Sequence, residues 1–175
     1  MISETWFNKR HTDQAMSIPG YNLYRRDRPR RRAGGVAIYI TTKVQSNLYL
    51  PMTVDNRIEL LWIKAGLNKN MLYNGVLYHP PTTSVHAYTV DELLEYIQLT
   101  IDNIMSSDDS AIIILAGDCN QLSDASVQAL GLISVVDKPT HKGKKLDRIY
   151  TSQPLYNNSK VVQSPIKTFH RAYYS

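Results

Sequence analysis

The strongest chemical signal in the sequence is an acid and an amide, Asp118 and Asn120, that follow an uninterrupted apolar run. The run covers residues 111–116 and predicts a strand buried on both faces of a sheet. Ligands of α/β domains gather at the C-terminal ends of such strands. We expect Gly117 to let the chain turn sharply, so that the acid and the amide point the same way in extended geometry and orient a water molecule and a phosphate oxygen. An Asx turn that only closes the strand explains the same pair of residues.

Three further polar side chains stand where predicted strands end or begin. Glu4 could supply the carboxylate that magnesium binds, and the Tyr78 hydroxyl, just before two prolines, could reach a ligand. Asp147 lies between apolar neighbours and therefore needs a partner, for which His170 is a candidate, because an aspartate fixes the tautomer of a histidine that it holds. Simpler structural explanations are an exposed terminal glutamate, a tyrosine packed at a sheet rim and a surface aspartate on an edge strand.

Positive charge is concentrated in one short segment. The chain has a net charge of +5, and six arginines fall within eight residues. Guanidinium groups match the geometry of phosphate oxygens, so the run suits a polyanionic partner. A solvated loop or a localisation signal explains the run equally well. The six residues are Arg25, Arg26, Arg28, Arg30, Arg31 and Arg32.

Apolar periodicity predicts the elements that must position these side chains. One helix begins after Thr89, which can form a capping box with Glu92, and ends near Asp108. Because predicted strands outnumber helices and a helix packs on apolar strands, we expect a layered α/β domain built on mixed or antiparallel sheets. Strands are predicted at residues 35–41, 60–67, 71–78, 111–116, 133–136, 146–151, 160–162 and 171–174, and a short second helix at 123–130.

Length and composition restrict the class of protein. The 175 residues fit a single domain, and no apolar run approaches the roughly 20 residues that span a bilayer. The first residues lack the basic and apolar regions of a secretory signal. The single cysteine, Cys119, excludes an internal disulfide framework and a thiolate metal cluster. We therefore expect a reducing, intracellular setting and no secretion.

The order of these motifs resembles the endonuclease/exonuclease/phosphatase superfamily. More closely, it resembles the apurinic-type endonuclease domain of non-LTR (LINE-like) retrotransposons, and the similarity covers nearly the whole chain. The arginine run, Ile18-Pro19-Gly20-Tyr21 and the Gly-Gly-Val-Ala-Ile-Tyr stretch at 34–39 add to it. The ordered motifs are Ser-Glu-Thr-Trp at 3–6, Tyr-x-Pro-Pro at 78–81, Gly-Asp-x-Asn at 117–120, Leu-Asp-x-Ile-Tyr-Thr-Ser at 146–152 and the late His170.

The resemblance implies a four-layer α/β/β/α sandwich of two mixed sheets, with the active site at one end. It implies hydrolysis of the DNA backbone with a divalent cation, Mg²⁺ or alternatively Mn²⁺, bound by Glu4. A DNA substrate implies a nuclear location. In retrotransposons the nick exposes a 3′ hydroxyl that primes reverse transcription, and no reverse transcriptase domain is present in this sequence.

The resemblance also assigns a role to each remaining residue of the site. Asp118 positions or deprotonates the attacking water, and Asn120 orients that water with the phosphate. Tyr78 donates a hydrogen bond near the scissile group. His170, held by Asp147, stabilises charge on the phosphate oxygens. Phosphodiester hydrolysis needs these functions: charge neutralisation, a positioned water and donors aimed at the developing oxyanion.

Two departures from the family pattern keep alternative functions open. The family begins with a strand that carries an asparagine before Ser-Glu-Thr-Trp, whereas this sequence starts at Met1, so we expect a domain without that strand. The family closes with Ser-Asp-His, where this chain has Thr168-Phe169-His170. An inert or impaired remnant that at most binds nucleic acid is therefore an alternative. A phosphoinositide or sphingolipid phosphoesterase is a second alternative, because the arginine run also suits anionic lipid.

Overall fold

The computed structural model describes residues 1–28, 33–67, 69–81, 88–154, 160–162 and 172–174. None of the helices in these ranges is long and apolar enough to cross a membrane. In chain order the elements are β1 (Ile2–Ser3), α1 (Asp13–Met16), β2 (Tyr21–Arg26), β3 (Val36–Thr41), β4 (Ser46–Tyr49), β5 (Glu59–Leu67), β6 (Asn70–Tyr78), α2 (Val90–Ser107), β7 (Ile112–Asp118), α3 (Asp124–Gln128), β8 (Ile133–Ser134), β9 (Asp147–Thr151), β10 (Lys160–Val162) and β11 (Ala172–Tyr174).

Two sheets form the framework. The larger sheet has six strands in the order β4-β5-β6-β7-β9-β8, and the smaller has three in the order β1-β3-β2. Among the strands of the described residues, only β6 and β7 pair in parallel, while the other neighbours are antiparallel. A parallel pair needs a crossover connection, which α2 supplies. β10 and β11 form a separate antiparallel pair.

Each face of the six-stranded sheet buries its own apolar cluster. On one face, Val36 and Ile38 of β3 pack against Leu61, Ile63 and Val76, so the two sheets lie face to face. On the other face, α2 packs its apolar stripe on β5, β6 and β7. Residues 112–116 of β7 are all buried, as the continuous apolar run predicts. The stripe consists of Leu93, Ile97, Ile101 and Ile104.

The predicted class, α/β with two packed sheets, is confirmed. The capping box of α2 is also confirmed, because Thr89 accepts from the Glu92 amide and Glu92 accepts from the Thr89 amide. Beside the smaller sheet lies the single turn α1, whose Met16 carbonyl accepts from the Tyr39 hydroxyl at 2.7 Å. The sequence pattern does not predict β2 or β4, because both are edge strands whose residues are exposed or only partly buried.

Gly117 corrects one expectation about the end of β7. It does not turn the chain but lies inside the strand, paired with Leu77 of β6. A Cβ atom at Gly117 would come within 1.8 Å of the Leu77 carbonyl oxygen, so glycine is required by the close approach of the neighbouring strand. The chain turns later, at Asn120, whose φ is 42°. Asp118 and Asn120 therefore do not form the extended pair that the sequence predicts.

Candidate active site

Four neighbouring strands of the larger sheet start or stop at the same end of the sheet, and each places a polar residue there. Glu59 and Asp147 are the first residues of β5 and β9, and Tyr78 and Asp118 are the last residues of β6 and β7. The register pairs Glu59 with Tyr78, Tyr78 with Asp118, and Asp118 with Asp147. Paired residues project from the same face, on strands about 4.8 Å apart. We call these four residues the polar row; it faces the smaller sheet, because Tyr78 belongs to the cluster between the sheets.

Glu4 reaches the polar row from the smaller sheet. It directly follows β1, and its Oε1 accepts a hydrogen bond from the Tyr78 hydroxyl at 2.5 Å. Tyr78 is only 4% exposed. Burial raises the pKa of Tyr78 far above its usual value, the bond to Glu4 adds to this, and the charge of Asp118 acts in the same direction. Tyr78 therefore lies near two carboxylates and stays protonated as a hydrogen-bond donor.

The backbone of His79 holds Asp118 and Asn120 together. The His79 amide donates to the Asp118 carbonyl at 2.9 Å, and the His79 carbonyl accepts from Asn120 Nδ2 at 2.8 Å. The Asn120 amide in turn donates to Asp118 Oδ1 at 3.2 Å. Asp118 is 4% exposed, so its carboxylate is fixed within the edge of the sheet. The structure therefore brings Glu4, Tyr78, Asp118 and Asn120 to one place.

A second network holds the loop after β7 from the opposite face of the sheet. Arg148 points away from the polar row, as its alternation with Asp147 predicts, and donates to the carbonyls of Leu122 and Asn120. Arg148 also pairs with Asp124 at 3.4 Å, and Asp124 accepts from the Tyr150 hydroxyl at 2.7 Å. Burial alone would raise the pKa of Asp124, but hydrogen bonds from Lys145 and Tyr150 lower it overall. The loop that carries Asn120 is thus tied down by a charged network.

Asp147 is positioned through its backbone by a residue that the sequence does not reveal. Thr140 is fully buried, and its Oγ1 accepts from the amides of Leu146 and Asp147 at 3.1 and 3.0 Å. Thr140 stands in a loop without periodicity, so no pattern identifies it. His170 lies outside the described residues, and its pairing with Asp147 stays a prediction.

The first half of the arginine run is bonded within the chain. Arg25 and Arg26 belong to β2, Arg28 follows it, and all three have partners among the described residues, so their contact with nucleic acid stays a prediction. Arg30, Arg31 and Arg32 lie outside the described residues. The partners are Asp13 and Asp27 for Arg25, the carbonyls of Asp55 and Leu60 for Arg26, and Glu59 for Arg28.

The donor atoms of the site suit a hard cation. Within the described ranges, no group of three or more His, Cys, Asp and Glu residues could hold a metal ion. Magnesium needs fewer protein ligands, since it usually binds one or two carboxylates and keeps water and substrate phosphate for its other positions. Glu4, which is bonded to the Tyr78 hydroxyl, and Asp118, which is paired with Tyr78 across the strands, offer carboxylate oxygens. The residues fit magnesium by this chemistry, and its binding to Glu4 stays a prediction.

Comparisons with known proteins agree with this architecture. The model of the endonuclease/exonuclease/phosphatase family matches residues 1–167. No curated protein sequence matches the chain. The endonuclease domain of TRAS1, a telomere-specific non-LTR retrotransposon, is similar with a TM-score of 0.65 and 14% identity, over 89% of this chain and 77% of that one. Truncated Caenorhabditis elegans TDP2 gives 0.67 and 15% over 98% and 80%. D. rerio TDP2 complexed with single-strand DNA product gives 0.54 and 16% over 87% and 74%.

Proposed function

Because the chain belongs to the endonuclease/exonuclease/phosphatase family, we propose that it is a magnesium-dependent endonuclease that nicks the DNA backbone. The observation that carries the proposal is the meeting of Glu4, Tyr78 and Asp118 at one end of two packed sheets. The family contains nucleases and phosphatases, so membership alone does not select the substrate. Support for DNA comes from the likeness to a retrotransposon endonuclease domain and to a TDP2 that holds a DNA product.

In this proposal Asp118 deprotonates the attacking water, and Asn120 orients it relative to the phosphate. The Asp118 carboxylate accepts a proton from the water as the water oxygen attacks phosphorus. The bond from phosphorus to the 3′ oxygen of DNA breaks, and the leaving oxygen takes a proton from solvent water to give the 3′ hydroxyl. Asn120 carries two N–H groups on its amide, and the one bonded to the His79 carbonyl fixes the orientation of the side chain. The second N–H is then available to a phosphate oxygen, so that water and phosphate are held in a common geometry.

Glu4 and Tyr78 stabilise the phosphate. Glu4 is the residue that would hold the magnesium ion, and bound magnesium supplies positive charge that neutralises the phosphate oxygens. The hydrogen bond to Glu4 keeps the Tyr78 hydroxyl beside that position. When substrate binds, the hydroxyl hydrogen turns toward a phosphate oxygen, where negative charge grows in the transition state. The raised pKa of Tyr78 keeps this proton in place throughout the physiological range.

Nicking of supercoiled plasmid by the purified protein tests the proposal. We expect nicked circles in Mg²⁺ and none when a chelator is added. Asp118→Asn should lower the rate at least about 10²-fold while DNA affinity is retained, because one preorganised electrostatic group is lost. Asp109→Asn, an exposed residue in the turn after α2, is the matched control and should nick like the parent. Parental activity in Asp118→Asn, or nicking that survives the chelator, contradicts the proposal.

Phe169 favours one competing function, an inert protein that binds nucleic acid. It stands where the family pattern has an aspartate, and phenylalanine neither binds a metal nor accepts a strong hydrogen bond. If the parent binds DNA without nicking it in Mg²⁺, this second function is correct. If the damage is confined to that position, Phe169→Asp should raise the nicking rate, and Phe169→Leu, the control, should not.

A further inference from the structure

Glu59 is a buried carboxylate of the polar row that the proposed mechanism does not use. It is 8% exposed. Its Oε1 accepts from Arg28 Nε at 2.6 Å, and its Oε2 accepts from the Gly35 amide. A buried charge is tolerated only when it is paired and hydrogen-bonded, and both of these partners come from the smaller sheet and its loop. Glu59 therefore links the end of the larger sheet to Arg28 and Gly35, which stand on either side of residues 29–34.

The corner formed by Gly34 and Gly35 connects Glu59 to the segment that carries Glu4. The carbonyls of Gly35 and Gly34 accept from the amides of Thr5 and Trp6 at 3.1 and 2.9 Å. Both glycines have positive φ, +79° and +82°. A Cβ on Gly34 would lie 2.5 Å from Arg28 Cζ, and one on Gly35 would lie 2.6 Å from Thr5 Oγ1. The corner accepts only glycine because the ion pair and the Thr5 segment close around it.

The Glu4 segment has a backbone conformation that needs such support. Glu4 and Trp6 have φ values of 55° and 57°, in the left-handed region that non-glycine residues rarely adopt. Such a conformation persists only when the surrounding structure imposes it. The bonds from Thr5 and Trp6 to the glycine corner are the contacts that impose it here.

Arg28 provides a second connection between Glu59 and Glu4. The Arg28 guanidinium lies over the Tyr78 ring, 5.3 Å from its centroid. The Tyr78 hydroxyl donates to Glu4 at 2.5 Å. One route thus runs from Glu59 through the glycine corner to the backbone beside Glu4. The other runs from Glu59 through Arg28 and Tyr78 to the Glu4 carboxylate.

We infer that Arg28 and Glu59 are positioning residues that hold Glu4 and Tyr78 in their cation-binding arrangement. We call this ion pair the clamp. Its role for a cation rests on the proposed function, whereas its hold on the Thr5–Trp6 backbone does not. Neither residue contacts the reacting atoms in this account. Their effect passes through the geometry of Glu4, because both routes end there.

Glu59→Gln tests the clamp with little change in volume. Glutamine keeps an acceptor for the Gly35 amide but removes the charge that holds Arg28. We expect hydrogen exchange of the Thr5 and Trp6 amides, measured by NMR, to accelerate at least about tenfold. Mn²⁺ affinity, measured by calorimetry, should fall about tenfold, as is common when a partner that orients a metal ligand is removed. Arg28→Lys, which keeps the charge but loses the planar fork, should give smaller changes in the same direction.

Arg57→Gln is the matched control, because it removes ion pairs to Asp55 and Glu92 outside the polar row. It should leave both the amide exchange and the Mn²⁺ affinity at parental values. If both Glu59→Gln and Arg28→Lys keep the parental amide exchange at Thr5 and Trp6 and the parental Mn²⁺ affinity, the inference about the clamp is wrong, even if the protein nicks DNA. If the parent binds Mn²⁺ but does not nick DNA, the proposed function fails, and the clamp is still judged by exchange and affinity. A parent that binds no Mn²⁺ overturns the cation-positioning role.

Discussion

The Tyr78 hydroxyl shows how position at a strand end gives a residue its chemistry. It is bonded to Glu4 and stands beside Asp118 on the neighbouring strand, and its pKa is raised first by burial and then by the bond to Glu4. The pKa of an unperturbed tyrosine is about 10. Because a raised pKa keeps the proton on the oxygen to higher pH, Tyr78 should not contribute tyrosinate absorbance at about pH 10.5. The ultraviolet difference between the folded parent and Tyr78→Phe should then be near zero, and a loss of one tyrosinate equivalent contradicts this environment.

Cys119 gives a second prediction at the residue scale. It is fully buried, and burial raises the pKa of its thiol to about 12. The thiolate is the reactive form, so the folded protein should not react with a disulfide reagent at about pH 8. In a denaturant one thiol should react at once. Rapid modification of one thiol without denaturant, with the fold intact, would show that the strand end opens or that the thiol is exposed.

Four residues of the candidate site are predicted from the ordered motifs that carry the family resemblance: Glu4, Tyr78, Asp118 and Asn120. Their catalytic roles stay predictions. Glu59 escapes prediction, although its alternation with Leu61 and Ile63 places it on the face between the sheets. Its contacts come from residues more than twenty positions away, and a single sequence does not display them.

Among the elements, β7 depends on one glycine for its contact with β6. A Cβ at Gly117 would overlap the Leu77 carbonyl oxygen, whereas a Cβ at Gly66 in β5 would meet nothing within 4 Å. We expect Gly117→Ala to lower the free energy of unfolding by at least about 3 kcal/mol, because two paired strands must separate. Gly66→Ala, the matched control, should change it by less than about 0.5 kcal/mol. Denaturant unfolding measures both, and equal stabilities would show that β6 and β7 are not this close.

How well an element is predicted from sequence follows its periodicity. The apolar stripe and capping box locate α2 to within a residue or two, and β5 and β6 extend only one residue beyond their predicted starts. β2 and β4 lack such a pattern because each lies at a sheet edge with few buried side chains. The sequence predicts a turn at Gly117, but the structure needs glycine there because β6 approaches closely. A single sequence does not distinguish these two reasons for a glycine.

At the scale of the whole molecule, the net charge of +5 predicts salt-dependent binding to DNA. The logarithm of affinity should fall linearly with the logarithm of salt concentration, with a slope of about 0.9 for each phosphate contact. Replacing Arg30, Arg31 and Arg32 with serine should flatten this slope, whereas serine at Lys43 and Lys69 should not. Those lysines lie beyond the ends of β3 and β5, at the edge of the sheets away from the polar row. A slope unchanged by the arginine substitutions removes that segment from the interface.

The layered architecture is predictable as a class from local patterns, whereas the packing of two sheets against each other is predictable only through the family resemblance. Local patterns indicate a helix on apolar strands, and the resemblance to the family supplies the second sheet. Contacts such as the bond from Tyr78 to Glu4 join residues 74 positions apart. The sequence pattern does not show that such distant residues are in contact, so this hydrogen bond is known only from the folded structure.

The location of a bound manganese ion tests the central claim most directly. Crystals of the protein soaked in Mn²⁺ would show the ion by its anomalous scattering. We predict one ion coordinated by the Glu4 carboxylate, on the side of Tyr78 where Asp118 and Asn120 lie. An ion bound elsewhere, with Glu4, Asp118 and Asn120 opening into separate regions, would contradict the account.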